Sequence, residues 1–514
     1  MKNYLNNFFI CIVSIIFLTY AYALAQPIQL VPHKEGSSSS LDPLPLAQEV
    51  KGFWEGTPSS LMEAYFAKLP LSLSSPILRA FRDQVLKNKY EPLLQNSSYQ
   101  QALFSQLKER GQFEQAKELL LESSVADKEA MLIDLQWLMG EQKKACEKIT
   151  DLIRTSPSSE WKKQNIYCLY LNGEGERGKI AAELYVESNS PHSTLLNTLF
   201  DSSSPPPFDE AIGNSPFLLT TWCAIGLEIP QDILKTLPLS SLALIAKSEK
   251  MPLSSRLSAG QIALQGGLLS GEYHLNLLKN PTSDELLEKF AHELKSPQSE
   301  SLLPLFEKAS QEQKLGIVGE VFKPLLAKIN PSQEMLTLAP YMVRAFLESG
   351  ENNLAQKWGS LLMREDPDQA IPILPLLHLA FSQNKWGESQ LQAWQTYQSR
   401  IHPETAPQHS YELRRTLEAL GETPGTPMKG EPSTPSWRME KALFDEKTLN
   451  LLNAAAASHR KGEVLLFTLL MMGDTPLKDL SVDKFTRLLS ILHKAGFTNE
   501  ARSLALEYLL SKFS

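Results

Sequence analysis

The sequence predicts an all-α protein, built as a superhelical array of antiparallel helix hairpins. Three observations predict it. Apolar residues recur with a helical period along most of the chain, no convincing run of alternating residues suggests a strand, and glycines stand at the ends of the periodic segments. A hairpin of this kind cannot bury an apolar stripe alone, so neighbours must stack. At 514 residues, 42% hydrophobic and 21% charged, the chain can fill a large core, and disorder is expected only locally.

Taken in order, the chain opens on a secretory pattern. Lys2 precedes an apolar run from Phe8 to Tyr20, and Ala23-Leu24-Ala25 is an A-x-A cleavage site before Gln26. Residues 1–25 are therefore expected to be a signal peptide cleaved between Ala25 and Gln26, placing the body in the periplasm or outside the cell. The alternative is an uncleaved segment that anchors the chain to the membrane. Residues 26–45, with Pro27, Pro32, Ser37 to Ser40, Pro43 and Pro45, have linker composition. A helical-repeat domain is expected over 46–420, interrupted near 188–208, where Leu195 to Phe200 can still pack as a short helix. The Pro- and Gly-rich stretch 421–436 reads as an exposed linker, and 437–514 as a separable C-terminal helical block.

The clearest hairpins run from Asp127 to Ser188. One helix ends in Leu135, Leu138 and Met139 before Gly140, and the next carries Ala145, Cys146, Ile149, Leu152 and Ile153 up to Pro157. A third opens at Ser158 and Ser159 and carries Trp161, Cys168 and Leu169, and a fourth begins near Arg177. Cys146 and Cys168 each lie 11 residues from Pro157, so an antiparallel hairpin brings them to one level, facing each other. In an oxidising compartment they are expected to form a disulfide, with two buried free thiols as the alternative.

The turns repeat a spacing. Gly111 precedes Ala116, Gly140 precedes Ala145, Gly350 precedes Ala355 and Gly496 precedes Ala501, each pair five residues apart, and Pro157 and Pro367 each follow the Ala by twelve. This resembles the tetratricopeptide repeat, whose second helix follows a Gly-x4-Ala turn and ends near a Pro. The repeat's Trp-x2-Leu-Gly opening is missing and the copies are unevenly spaced, so a degenerate α-solenoid is expected. The resemblance implies a groove lined by the first helix of each hairpin, which places Asp134, Trp137 and Arg344 on the candidate groove face. The layout is also similar to a family of secreted helical proteins of Gram-negative bacteria, some labelled antifreeze glycopeptide. Its members carry a Cys pair in an early hairpin and an Ala-rich start to the last block, as at Cys146, Cys168 and Ala454 to Ala457 here. That resemblance brings no activity.

Motifs for chemistry are incomplete. Gly173-Glu-Gly175-Glu-Arg-Gly178-Lys179-Ile180 satisfies G-x-G-x-x-G and most of a phosphate-binding loop, but Ile180 replaces the Mg²⁺-binding hydroxyl and two glutamates would repel phosphate. It reads as a turn between helices. His292-Glu293 lacks a second His at Ser296, so no zinc protease is expected, nor any other metal or cofactor site. A net charge of -8 without a basic block disfavours nucleic acid as a partner. Trp358, Trp386, Trp394 and Tyr397 read as core filling between hairpins, with a recognition surface as the alternative.

The expected function is therefore that of an exported, non-enzymatic helical-repeat scaffold that binds an envelope protein or an extended peptide. No catalytic residue is assigned. Contact with a membrane is expected only if the N-terminal segment is uncleaved. The alternative is a peptidoglycan-associated protein similar to the superhelical part of lytic transglycosylases, whose catalytic segments have no counterpart here.

Overall fold

A computed structural model describes residues 51–513, apart from 72, 74, 124, 126, 188–191, 202–204, 279–284, 382–386, 433–445 and 474. The signal segment, its cleavage point between Ala25 and Gln26, the linker 26–45 and Trp386 lie outside the described residues. Within them every regular element is a helix, and no strand is present.

One turn accounts for much of the architecture. Helix Ser97–Glu109 ends at Gly111, whose φ of 65° lets the Gln112 amide reach back to the Leu107 carbonyl at 2.9 Å, and helix Phe113–Glu122 starts at once. The same six-residue back-bond recurs after Gly140, Gly173, Gly350 and Gly496. It also forms at Gln313 and His459, each with φ of 55°, where the chain has no glycine. Five residues past each turn a small or β-branched side chain faces the partner helix. Ala116, Ala145, Ala355, Ala501 and Val318 are fully buried, and Val464 nearly so. After Gly173 that position is Gly178, where an added Cβ would stand 2.4 Å from the Phe200 ring. The loop-like motif at 173–180 is thus a helix-to-helix turn, and its third glycine, Gly178, is a packing contact.

Consecutive hairpins pack side by side from Ser97–Glu109 to Gly175–Glu187, and the short helix Ser193–Asn197 caps them with Leu195 and Leu196. Next comes Pro216–Ile225, apolar on every face. Its Thr220 and Thr221 are tolerated in the core because their hydroxyls donate to the Pro216 and Phe217 carbonyls one turn back. This helix lies on Lys128–Leu138, and helix Leu239–Lys247 lies across Ser97–Glu109 and Lys128–Leu138.

The early and late parts of the described chain meet. Helix Pro76–Lys87 packs on Lys461–Met472 and Thr498–Lys512, and Leu374–Ala380 also packs on Thr498–Lys512. One core runs from Phe53 to Leu510. The described C-terminal helices thus pack both on a helix from the first hundred residues and on Leu374–Ala380 and Ala406–Ala419.

The Pro- and Gly-rich stretch is largely exposed, as expected, but it is also tied to the helices beside it. Its described part, 421–432, has no helix, but charged side chains fasten it down. Glu422 takes Arg502 on one oxygen at 2.5 Å and His378 on the other at 2.6 Å, while Arg502 also donates to the His378 carbonyl at 2.8 Å. Glu431 accepts from Arg414, Ser410 and the Met428 amide, with its side chain 5% exposed. Composition had excluded regular structure there, and it had no bearing on tertiary contacts.

Candidate functional site

Of the three groove candidates, Trp137 is buried, and Asp134 and Arg344 are partly so. Trp137 is fully buried and donates from Nε1 to Gln164 at 2.9 Å. Its ring meets Tyr167 and Phe217 at 5.5 and 5.6 Å between centroids, and Phe217 comes from helix Pro216–Ile225. A helix of the chain itself thus covers Trp137, which is a core residue. Asp134, one turn earlier, is half-buried. Burial raises its carboxyl to about 6, opposed by Lys108 and Lys163 and reinforced by Glu160.

Arg344 lies away from that pair, on helix Ala339–Glu348. Its Nε pairs with Glu348 at 2.9 Å, and its two terminal nitrogens donate to the Leu510 and Phe513 carbonyls at 3.2 Å each. Arg344 thus caps the C-terminal end of helix Thr498–Lys512 and sets a positive charge at its negative end. Again a later helix packs against a groove candidate. Trp358 and Trp394 are buried, the latter against Phe513 at 5.3 Å.

Beside Arg344 opens a cleft of about 330 Å³. It forms where helices Pro76–Lys87, Ala339–Glu348 and Thr498–Lys512 converge with the turn at Gln313. Ser75 caps the first of these helices by accepting from Leu78, and its hydroxyl donates to Glu507 Oε2 at 2.5 Å, while the Ile77 amide donates to Oε1 at 3.1 Å. Burial pushes Glu507 up to about 7 in spite of these two bonds and of Arg79. Burial also raises Glu348, against Arg344 and the Gly316 amide. Sequence reasoning missed Glu507 and Ser75, which are 432 residues apart. No local pattern links them.

The structure joins Cys146 to Cys168 in a disulfide with 5.4 Å between Cα atoms. Closing a loop of this length stabilises by roughly 3 kcal/mol on the chain-entropy account. Cys223 is buried, and that burial drives its thiol up to about 12, leaving it inert.

On the outer side, helix Gly175–Glu187 turns Gly178 and Ala182 inward and leaves Ile180 and Leu184 exposed at 57% and 61%. Leu171, before the same turn, is 37% exposed.

Compared with family models, curated proteins and solved structures, the chain matches none. Among the described residues no group of three or more His, Cys, Asp or Glu could hold a metal ion, and no helix is long and apolar enough to cross a membrane.

Proposed function

We propose that the chain is an exported, non-enzymatic scaffold of the cell envelope, its hairpins forming a tetratricopeptide-like superhelical array, and that it binds a protein or peptide partner. The observation that carries this reading is the outward face of helix Gly175–Glu187. Ile180 and Leu184 stand one turn apart and present a single apolar ridge in a helix whose opposite face is buried. Single exposed apolar residues need no explanation, whereas two in register suit an amphipathic helix laid alongside. Glu176, Arg177 and Glu183 provide a polar rim around it. Trp137 and Arg344 are already engaged by other helices of the chain, so docking falls to the outside. The disulfide supports an oxidising compartment.

A photo-crosslinking residue at position 180, introduced in cells, tests the reading. It is expected to yield one discrete adduct that competes away when Leu184→Asp is added. Adducts no stronger than those from a crosslinker at exposed Lys143 would overturn it.

A further inference from the structure

Glu507 has no part in the scaffold reading, yet its setting is unusual. It stands in the wall of the 330 Å³ cleft, and its hydrogen-bond partners among the described residues are Ser75 and Ile77. A carboxylate has about four acceptor positions, so two bonds leave capacity on both oxygens. Arg79 is the one basic group whose charge reaches it, and that guanidinium is turned to the carbonyls of Leu73 and Gln265.

The other charges of the cleft are balanced or screened. Arg344 is spent on Glu348 and on two helix-end carbonyls. Lys478 stands exposed on the rim, where water and salt weaken its field. Leu315, Leu477 and Leu510 give the same cleft an apolar part of its wall. The cleft thus combines a desolvated acid, which the Arg79 charge reaches without an ion pair among the described residues, with apolar side chains in the same wall.

We propose that this cleft binds a primary ammonium or guanidinium group on a short apolar stem, with the head on Glu507 and the stem along Leu315, Leu477 and Leu510. A charged donor supplies what Ser75 and Ile77 do not, and charge-assisted hydrogen bonds are roughly twice as strong as neutral ones. The volume is at the small end for ligand pockets, which suits a single linear chain. The same chemistry arrives as a free alkylamine or as a lysine or arginine side chain of a peptide. The proposal does not rest on the Ile180 and Leu184 surface, and its test does not read that surface.

Isothermal titration of the full chain compares pentylamine with pentanol. The amine is expected to bind at least about tenfold more tightly. Glu507→Gln, which retains an acceptor for Ile77 and a partner for Ser75, is expected to remove that preference without lowering the melting temperature. Lys478→Ala leaves it intact or enlarges it. A third ligand, acetyl-Ala-Lys-Ala-amide, separates the sources: binding at least as tight as pentylamine assigns the head group to a peptide, and weaker binding assigns it to a free amine. Equal affinity for pentylamine and pentanol in the native chain, or an undiminished preference in Glu507→Gln, overturns the proposal. The first of these readings needs no variant.

Discussion

Gln313 and His459 hold a left-handed backbone that the other turns of their kind give to glycine. For an L-residue this conformation costs about 1–2 kcal/mol, partly offset because glycine loses more freedom on folding. Gln313→Gly and His459→Gly are each expected to stabilise the protein by roughly 0.5–1 kcal/mol, read as a higher urea midpoint at unchanged slope. Gly350→Ala, with φ of 76° and nothing near its absent Cβ, is the matching control and should lose stability through backbone strain alone. The same positions show what was legible. Where the turn is spelled Gly-x4-Ala, at 111, 140, 350 and 496, letters and geometry agree. At 313 and 459 the geometry persists with Val five residues on, and a search for two residue types passes over it. The groove position expected of Trp137 is a core position. Its occupant, Phe217, was invisible because periodicity describes each helix's face and not which distant helix meets it.

At the scale of elements, the strap 421–432 turns on Glu422. Burial by itself would raise this carboxyl, but hydrogen bonding to His378 and Arg502 and their charges more than offset it, so its pKa falls below the ordinary carboxylate value. A depressed carboxylate contributes stability that is present above its unfolded value and lost as pH falls through the folded one. Glu422→Gln is therefore expected to cost roughly 1–3 kcal/mol at pH 7 and to become indistinguishable from the native chain near pH 3. Denaturant melts at the two pH values check it, and an equal loss at both would refute the ion-pair account. Proline and glycine content spoke correctly against a helix there. It could not reveal that Arg502 and Arg414 wait elsewhere for the two glutamates. The disulfide was legible for the opposite reason, since Cys146 and Cys168 share one hairpin and need only local symmetry about its turn.

On the scale of the whole molecule, helix Thr498–Lys512 is held at both of its flanks. Glu507 reaches the start of helix Pro76–Lys87, Arg502 reaches His378, and Arg344 closes its C-terminal end. Removing residues 498–514 is expected to lower amide-exchange protection in Pro76–Lys87 and Ala339–Glu348 before it does so in the disulfide-linked hairpin. Unchanged protection in both helices would show that the meeting of early and late segments contributes little. The Glu507 contact with Ile77 also imposes an order in time. A chain emerging from a ribosome or a translocation pore presents residue 77 some 430 positions before its partner exists. Hairpins with local turns can close as they emerge, within microseconds. The Ile77 amide at the head of helix Pro76–Lys87 must instead remain with water, or with a chaperone, until helix Thr498–Lys512 is released. A chain that lacks helix Thr498–Lys512 would therefore leave the Ile77 amide and the Ser75 hydroxyl without this carboxyl.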